Sequence, residues 1–497
     1  MRQFPASVPA PEGAKFYLLH MLLFMLAVVL TGWNFATVMG HIQSKDAFAE
    51  SPDAFAESLG IFAESPAAMP VRKGSLEGSD PDAALAVQHI RDHAIQINDM
   101  SDLDPLVERA SGSRLVLLGE ASHGTSEYYT WRAEISQRLI REHGFNFIVV
   151  EGDWPLAFRV NKHVKHLEPE PSGSREVMHH FSRWPLWMWG NEEVLELIRW
   201  MYEYNRNRPQ EHRAGFYGMD IYAYNEGIGD VIAFLEAHDP SAARQARNSY
   251  GCFTRHRDMQ AYLQMVHRTG QHCGSDMEAV QDLLEVNMSE WLDADSLMFV
   301  LAWQASRMAT QAERHIRGNL ERGPASWNHR VDHFYDTAHN LLELYGEHSK
   351  GIVWAHNTHI GDARATDMSQ AGMKNIGQIA REELGSGQVY AIGFGTYRGE
   401  VLAARQWEGP MQRMQIPAAV PGSYEYLMQQ AGISPMMLLF DDPQDHQVLK
   451  LPRGNRAVGV VYQPESDAER NFVTTVLPRR YDAFIFFSET KALTPLK

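Results

Sequence analysis

A chain of 497 residues, 44% of them hydrophobic, can bury a sizeable core and hold more than one folding unit. Its formal net charge of −17, with no run of Lys or Arg, argues against a surface built to neutralise nucleic-acid phosphates. The two cysteines, Cys252 and Cys273, form no C-x-x-C and have no histidines at zinc-finger spacing; they read as two buried thiols, with one disulfide as the alternative for an exported protein.

Phe16 to Leu30 is almost wholly apolar, comes after Arg2 and Lys15, and gives way to a mixed stretch from Thr31 to Gly40. Extended through Val38, it reaches the roughly 20 residues of a bilayer span. Residues 1–45 therefore read as a signal peptide or membrane anchor, the chain's one expected membrane contact, or else as the product of a start codon placed too far upstream in a cytoplasmic protein. Heptads come next, DAFAESP from Asp46, DAFAESL from Asp53 and GIFAESP from Gly60. They are too few, and too rich in Ser, Pro and acid, to stack as a solenoid, so residues 46–81 read as a disordered linker. The catalytic unit is expected over 82–497.

From there the pattern is α/β. Arg114–Leu118 and Phe147–Val150 are short apolar runs, and between them Ser126–His143 has apolar residues spaced by three and four, closed by Gly144. Such a strand-helix-strand unit joins parallel strands, so both carboxyl ends share one sheet edge. Further strands are expected at Ala214–Tyr217, Gly351–Ala355 and Val389–Phe394, then at Met436–Leu439, Ala457–Tyr462 and Ala483–Phe487. Amphipathic stretches such as Met277–Leu292 mark a helical insertion over about 228–344. The expected fold class is α/β: a mostly parallel sheet flanked by helices, with a helical insertion subdomain.

The residues just past the strand ends carry the chemistry. Glu120 comes after the first strand, Glu151 after the second, Asp220 after the third and His356 after the fourth. Ligands of open parallel sheets bind beyond the carboxyl ends of strands, and crowded carboxylates need cations or hydrogen bonds to offset their repulsion. Alone, each residue reads as a helix cap or a solvated turn. Together they predict a site.

In the first loop, Glu120 and His123 are three apart, Gly124 permits a sharp turn, and the next helix begins with Ser126 as N-cap and Glu127 in its first turn. That helix N-terminus favours a developing anion. Arg132 falls early in the helix. His356-Asn357-Thr358-His359 is compatible with a zinc site shared with Glu120 and Glu151, and equally with acid/base work. His-Glu-x-x-His is absent, as are Gly-x-Ser-x-Gly, a phosphate loop and the dinucleotide fingerprint, since Gly393–Gly399 is one residue too long. No nicotinamide cofactor is expected. Direct attack by water is the chemistry left, activated by an imidazole whose unperturbed pKa near 6.5 suits neutral pH. Trp184, Trp187 and Trp189 read either as core or as the apolar wall of a substrate pocket, with Asp220 at its edge.

These motifs carry a family resemblance. LLGEASHGTSEYY (Leu117–Tyr129), VVEGDWP (Val149–Pro155), RWPLWMW (Arg183–Trp189), GFYGMDIY (Gly215–Tyr222), VWAHNTHIGDARAT (Val353–Thr366) and PGSYE (Pro421–Glu425) resemble the erythromycin esterase family, including its succinoglycan biosynthesis branch, over about 82–497. The resemblance implies hydrolysis of an ester or macrolide-like lactone, with His123 as general base beside Glu120. It also implies site positions for Arg132, Glu151, His356 and His359, and no covalent intermediate. No cofactor is expected, with a divalent metal left open. One departure is Asn328-His329-Arg330-Val331, where the family often shows Asn-x-Arg-Asp. His123, oriented by Glu120 or Glu151, is expected to take a proton from water while Arg132 and His356 or His359 stabilise the oxyanion or protonate the leaving alkoxide, unless Arg132 is a buried partner holding both glutamates. The alternatives are a metal-dependent hydrolase at the same residues and a non-catalytic carbohydrate-binding protein of polysaccharide assembly.

Overall fold

The apolar runs pair as strands whose carboxyl ends stand in register. The computed structural model describes residues 81–167, 173–321, 323–441 and 445–496, so the apolar segment and the heptads lie outside the described residues. In chain order the strands are β1 (Ile95–Gln96), β2 (Leu115–Leu118), β3 (Phe147–Asp153), β4 (Gly215–Asp220), β5 (Gly351–Trp354), β6 (Val389–Ala403), β7 (Gln412–Ile416), β8 (Met436–Leu439), β9 (Arg453–Arg456), β10 (Phe472–Thr475) and β11 (Ala483–Thr490). The main sheet runs β1-β8-β11-β6-β2-β5-β3-β4, with β7 on β6, and β9 pairs with β10 separately. Its centre, from β11 to β4, is parallel, while β8 runs antiparallel to β11 and β1 to β8. No helix of the described residues is long and apolar enough to cross a membrane.

Alternation along β2 and β3 sends side chains to two cores. Leu115, Leu117, Phe147 and Val149 pack in one, and Val116, Leu118, Ile148 and Val150 in the other. Strands buried on both faces read as continuous apolar runs, which is why LVLL and FIVV are conspicuous. The first core is covered by α1 (Pro81–His93) and by helices of the long β4–β5 connection. The second is covered by α2 (Ser126–His143) and α3 (Glu192–Asn205). The fold is therefore α/β, a mostly parallel sheet flanked by helices. Gly144 ends α2 in the left-handed conformation, φ 71°, where a Cβ would be strained.

The β4–β5 connection forms α4 (Tyr224–His238), α5 (Pro240–Thr254), α6 (Met259–Thr269), α7 (Gly274–Val286), α8 (Met288–Gly318) and α9 (Ala325–Tyr345). The stretch Met277–Leu292 is two helices broken at Asn287. The reading of Cys252 and Cys273 as free thiols is overturned. They form a disulfide, Cα–Cα 5.7 Å, that ties the end of α5 to the start of α7. Ala457–Tyr462 is not a strand either. It is buried, but it makes single bridges, Val458 N–H to Ala121 O at 2.8 Å and Tyr462 N–H to Ala404 O at 2.8 Å, so its apolar character comes from packing between the site loop and β6.

Closing a loop of 21 residues in the unfolded chain is worth about 3 kcal/mol. The double variant Cys252→Ser/Cys273→Ser is thus expected to unfold at lower urea than the wild type, and alkylation without reductant should leave both cysteines unmodified. An unchanged midpoint would show that the bond does not brace the helices.

Candidate active site

Register builds the site. Leu118 pairs with Trp354, and Trp354 with Val150, so the chain leaves the sheet at one edge beyond all three. Glu120, His356 and Glu151 lie just past those positions. Beyond Val150 the pairing of β3 with β4 shifts, resuming at Asp153 opposite Asp220, and this irregularity re-aims Glu151.

The loop Gly119–Thr125 is buried throughout and held by backbone bonds. Gly119 N–H donates to Ile392 O at 2.9 Å, Glu120 O accepts from Asn357 N–H at 2.8 Å, and Gly124 O accepts from Leu402 and Leu493 N–H, each at 3.0 Å. Gly124 supplies close approach rather than a turn, since a Cβ there would lie 2.0 Å from Leu402 O. The expected cap is also displaced. Thr125 is the N-cap of α2, Ser126 Oγ donates to Glu193 at 2.7 Å, and Ser126 N–H is taken by Lys491 O at 2.8 Å, which leaves that amide no room for a developing anion.

Two buried clusters result. In the first, His123 Nδ1–H donates to Glu120 Oε1 at 2.9 Å, and Arg132 Nη2–H donates to Glu120 Oε2 at 2.9 Å. The Arg132 guanidinium lies between the rings of Tyr129 and Trp354, 4.4 and 4.6 Å from their centroids, with no exposed surface. In the second cluster, Glu151 Oε2 accepts the His356 backbone N–H at 2.9 Å and Oε1 accepts Arg330 Nη2–H at 3.1 Å, with His359 Nε2 lying 3.2 Å from Oε1. Arg330 also grips Asp220 twice, Nε to Oδ1 at 3.0 Å and Nη2 to Oδ2 at 2.7 Å. The clusters meet where the His123 and His356 rings lie 4.9 Å apart.

These contacts set the protonation states. Burial alone would raise the Glu151 carboxyl, but His359, His123 and Arg330 outweigh it and hold the group well below the usual carboxylate range. Burial pushes His356 well below its ordinary value, helped by His123, and burial lowers His359 too, against the pull of Glu151. Both imidazoles are therefore neutral at pH 7. His356 Nδ1 lies 2.8 Å from Thr358 Oγ1 and accepts the Thr358 N–H at 3.3 Å, which puts its proton on Nε2, a buried atom. Burial raises the carboxyl of Asp153 and opposes that of Asp220, which Arg330 nonetheless holds low.

His123, Glu151, Asp220, Arg330, Trp184 and Trp189 are among the residues lining a cavity of about 30 Å³. The sequence-predicted residues divide accordingly. Glu120, His123, Glu151, His356 and His359 converge. Arg132 meets Glu120 and not Glu151, lies between the rings of Tyr129 and Trp354, and is not among the residues lining that cavity. Trp189 donates Nε1–H to Glu151 O at 3.1 Å, and Trp184 donates to Gly409 O at 3.0 Å. Trp187 does not line the cavity: it packs in the second core, 2% exposed. Asp220 faces the cavity with both oxygens already engaged. Sequence reasoning missed Arg330, although Asn328-His329-Arg330 is a recognisable motif, and missed Arg183, which pairs with Asp153 at 2.7 Å.

Among known proteins, the family model described as erythromycin esterase matches residues 140–490. The chain belongs to the erythromycin esterase family. The matched span contains Glu151, Asp220, Arg330, His356 and His359, while the loop with Glu120 and His123 precedes it. A Bacillus subtilis (strain 168) protein named "Putative hydrolase YbfO" is 23% identical over 328 residues, 61% of this chain and 69% of its own. Crystal structures of a succinoglycan biosynthesis protein and of a Bacillus cereus protein, each 21% identical, cover 84% of this chain and 99% of their own, with TM-scores of 0.68 and 0.69. An erythromycin esterase, EreC, solved as a mutant in its open conformation, is 17% identical, covers 79% of this chain and 94% of its own, and has a TM-score of 0.57. At these identities the solved structures establish the erythromycin esterase-like fold.

Family membership leaves the acid response of this site to its own histidines. His356 and His359 are neutral when folded but bind protons more readily when unfolded, so stability falls as pH drops below about 6.5. His315 and His333, pushed down by burial to about 4 and about 3, add to that loss. Glu151 acts in a lower window: its contribution is present above the unfolded value of 4.5 and is lost as pH falls through the depressed folded value. Melting temperatures are expected to fall between about pH 7.5 and about 5.5, each buried histidine costing up to about 1.4 kcal/mol per pH unit. A flat profile over that range would contradict the neutral assignments.

Proposed function

We propose that this erythromycin esterase family member hydrolyses an ester or lactone of a small molecule by attack of water activated at His123, without a covalent intermediate. Membership of the family and likeness to a named hydrolase support a hydrolase; the rest is argued from geometry. The carrying observation is the Arg132–Glu120–His123 chain. Glu120 fixes the Nδ1–H tautomer of His123, which leaves Nε2 as the basic atom of a ring that lines the cavity, and Arg132 fixes Glu120 from behind. A general base must be oriented as well as basic, and a buried carboxylate on the far nitrogen does both.

In this reading water loses a proton to His123 Nε2, and its oxygen bonds to the carbonyl carbon. The tetrahedral intermediate then collapses as His123 returns the proton to the leaving alkoxide. His356 Nε2–H, buried beside the His123 ring, is a donor for charge in transit. The sequence has no Gly-x-Ser-x-Gly, the nucleophile motif of serine esterases. The reading calls on no metal. Both oxygens of Glu120 and of Glu151 are already satisfied by protein donors, and no group of three or more His, Cys, Asp or Glu side chains among the described residues is arranged to hold an ion.

A mass-spectrometric screen over macrolides, other lactones and acyl esters is expected to find turnover by the wild type. His123→Ala should lower kcat by roughly 10²–10⁴-fold, the usual worth of a general base. Dialysis against a chelator should leave wild-type turnover unchanged. Full activity in His123→Ala would remove the mechanism, and activity lost to the chelator and restored by zinc would favour the metal-dependent alternative. Arg132→Met, which leaves Glu120 buried without its cation, is expected to cost about 3–5 kcal/mol of stability by urea denaturation.

A further inference from the structure

We propose that Arg330, and not Arg132, is the cation that takes up the negative charge developing on the carbonyl oxygen during attack. The inference rests on the hydrolase reading above and adds a catalytic residue to it. Arg132 is excluded by burial: it has no exposed surface, its guanidinium lies between two rings, and it does not border the cavity. Arg330 borders the cavity together with His123.

The hydrogen bonds of Arg330 engage its nitrogens unequally. Nε donates to Asp220, and Nη2 donates to Asp220 and Glu151. Nη1 meets His359 Nε2 at 3.5 Å, the long limit of a hydrogen bond. That nitrogen is also 3.2 Å from Glu151 Oε1, so it is shared between the guanidinium and the carboxylate, and its bond to Nη1 is weak. Nη1 is thus the most weakly engaged nitrogen of a guanidinium that cannot drift. Asp220 grips it along one edge, and the rings of Phe334 and Tyr222 lie 4.7 and 5.2 Å from its centre. A fixed, desolvated donor aimed where charge develops lowers a barrier without reorganising at the moment of reaction.

The step balances. Water's O–H bond breaks, its proton goes to His123 Nε2, and the new C–O bond forms as the carbonyl π pair moves onto oxygen. The oxyanion then bonds to Nη1–H. When the C–O bond to the leaving group breaks, the alkoxide takes the proton back from His123, and Arg330 ends as it began. Glu151 and Asp220 act here as positioning residues, since they hold the guanidinium and not the substrate.

The test compares the full chain with Arg330→Ala and Arg330→Lys, using 4-nitrophenyl butyrate beside any substrate from the screen. Arg330→Ala is expected to lose roughly 10²–10³-fold in kcat, as removal of an oxyanion donor does, with KM changed only a few-fold. Millimolar guanidinium should then restore at least a tenth of the lost kcat in Arg330→Ala and nothing in His123→Ala, a result that a merely structural role would not give. A folded Arg330→Ala that keeps its kcat, or that guanidinium fails to rescue, overturns the proposal. Should Arg330→Ala not fold, Arg330→Lys decides: an ammonium cannot grip Asp220 along an edge and still present a further donor, so a tenfold or greater loss of kcat at an unchanged melting temperature supports the proposal, and wild-type kcat overturns it. Absence of wild-type turnover on every ester would instead bring down the hydrolase reading, and this inference with it.

Discussion

Glu120 and Glu151 are charged groups buried at the rim of a sheet, and the surrounding architecture answers that burial. A carboxylate removed from water is tolerated where a cation and several donors replace its hydration, and each of these two has a guanidinium of its own. Arg132 comes from the helix after β2, within the same strand-helix-strand unit as its glutamate. Arg330 comes from the helical connection between β4 and β5, and it is the arm by which those helices are fastened to the strand ends. Removing either cation leaves a buried negative charge without compensation, so the local fold and the protonation state of the site depend on the same two contacts.

The pairs are alike chemically and different in placement. Arg132 lies behind its glutamate, flanked by aromatic rings, so its effect on the cavity passes through Glu120 to the imidazole of His123. Arg330 lies beside its glutamate with an edge on the cavity. In the proposed hydrolysis one pair sets the tautomer of the proton acceptor, and the other presents positive charge where negative charge forms. Neutral His356 and His359 fit that division. Charged imidazoles here would compete with the guanidinium for Glu151, and burial keeps the protons off.

The cavity bears on the substrate. About 30 Å³ accommodates a water molecule, which needs roughly half of that, and ligand pockets commonly offer 300 Å³ or more. The arrangement holds room for the attacking water but not for an ester of any size. The sheet side of the cavity is fixed by strand pairing and ion pairs. Half-buried Trp184 also lines the cavity, tied by one hydrogen bond to Gly409 O and by ring contact with Trp407 at 4.6 Å. Displacement of that side chain costs far less than displacement of the rim.

Legibility in the sequence is confined to whatever depends on neighbours along the chain. β2, α2 and the start of β3 stand out because periodicity and the closing Gly144 are local signals, and the strand-helix-strand rule then places Glu120 and Glu151 on one edge without further information. His356 joins them because its strand ends the same way. The partner of Glu151 is not legible, since Arg330 lies 179 residues away and nothing in Asn328-His329-Arg330 says which carboxylate it meets. Alternation within RWPLWMW cannot separate Trp184 and Trp189, which face the cavity, from Trp187 in the core, because a short irregular segment has no period to read. Ala457–Tyr462 misleads for the converse reason: an apolar run records burial, and burial against the site loop and β6 looks the same in sequence as burial within a sheet. The disulfide is beyond reach because its geometry depends on how α5 and α7 pack. Charge compensation is a property of space rather than of sequence, so the glutamates are predictable from strand ends, whereas the cations that make their burial possible emerge only in the fold.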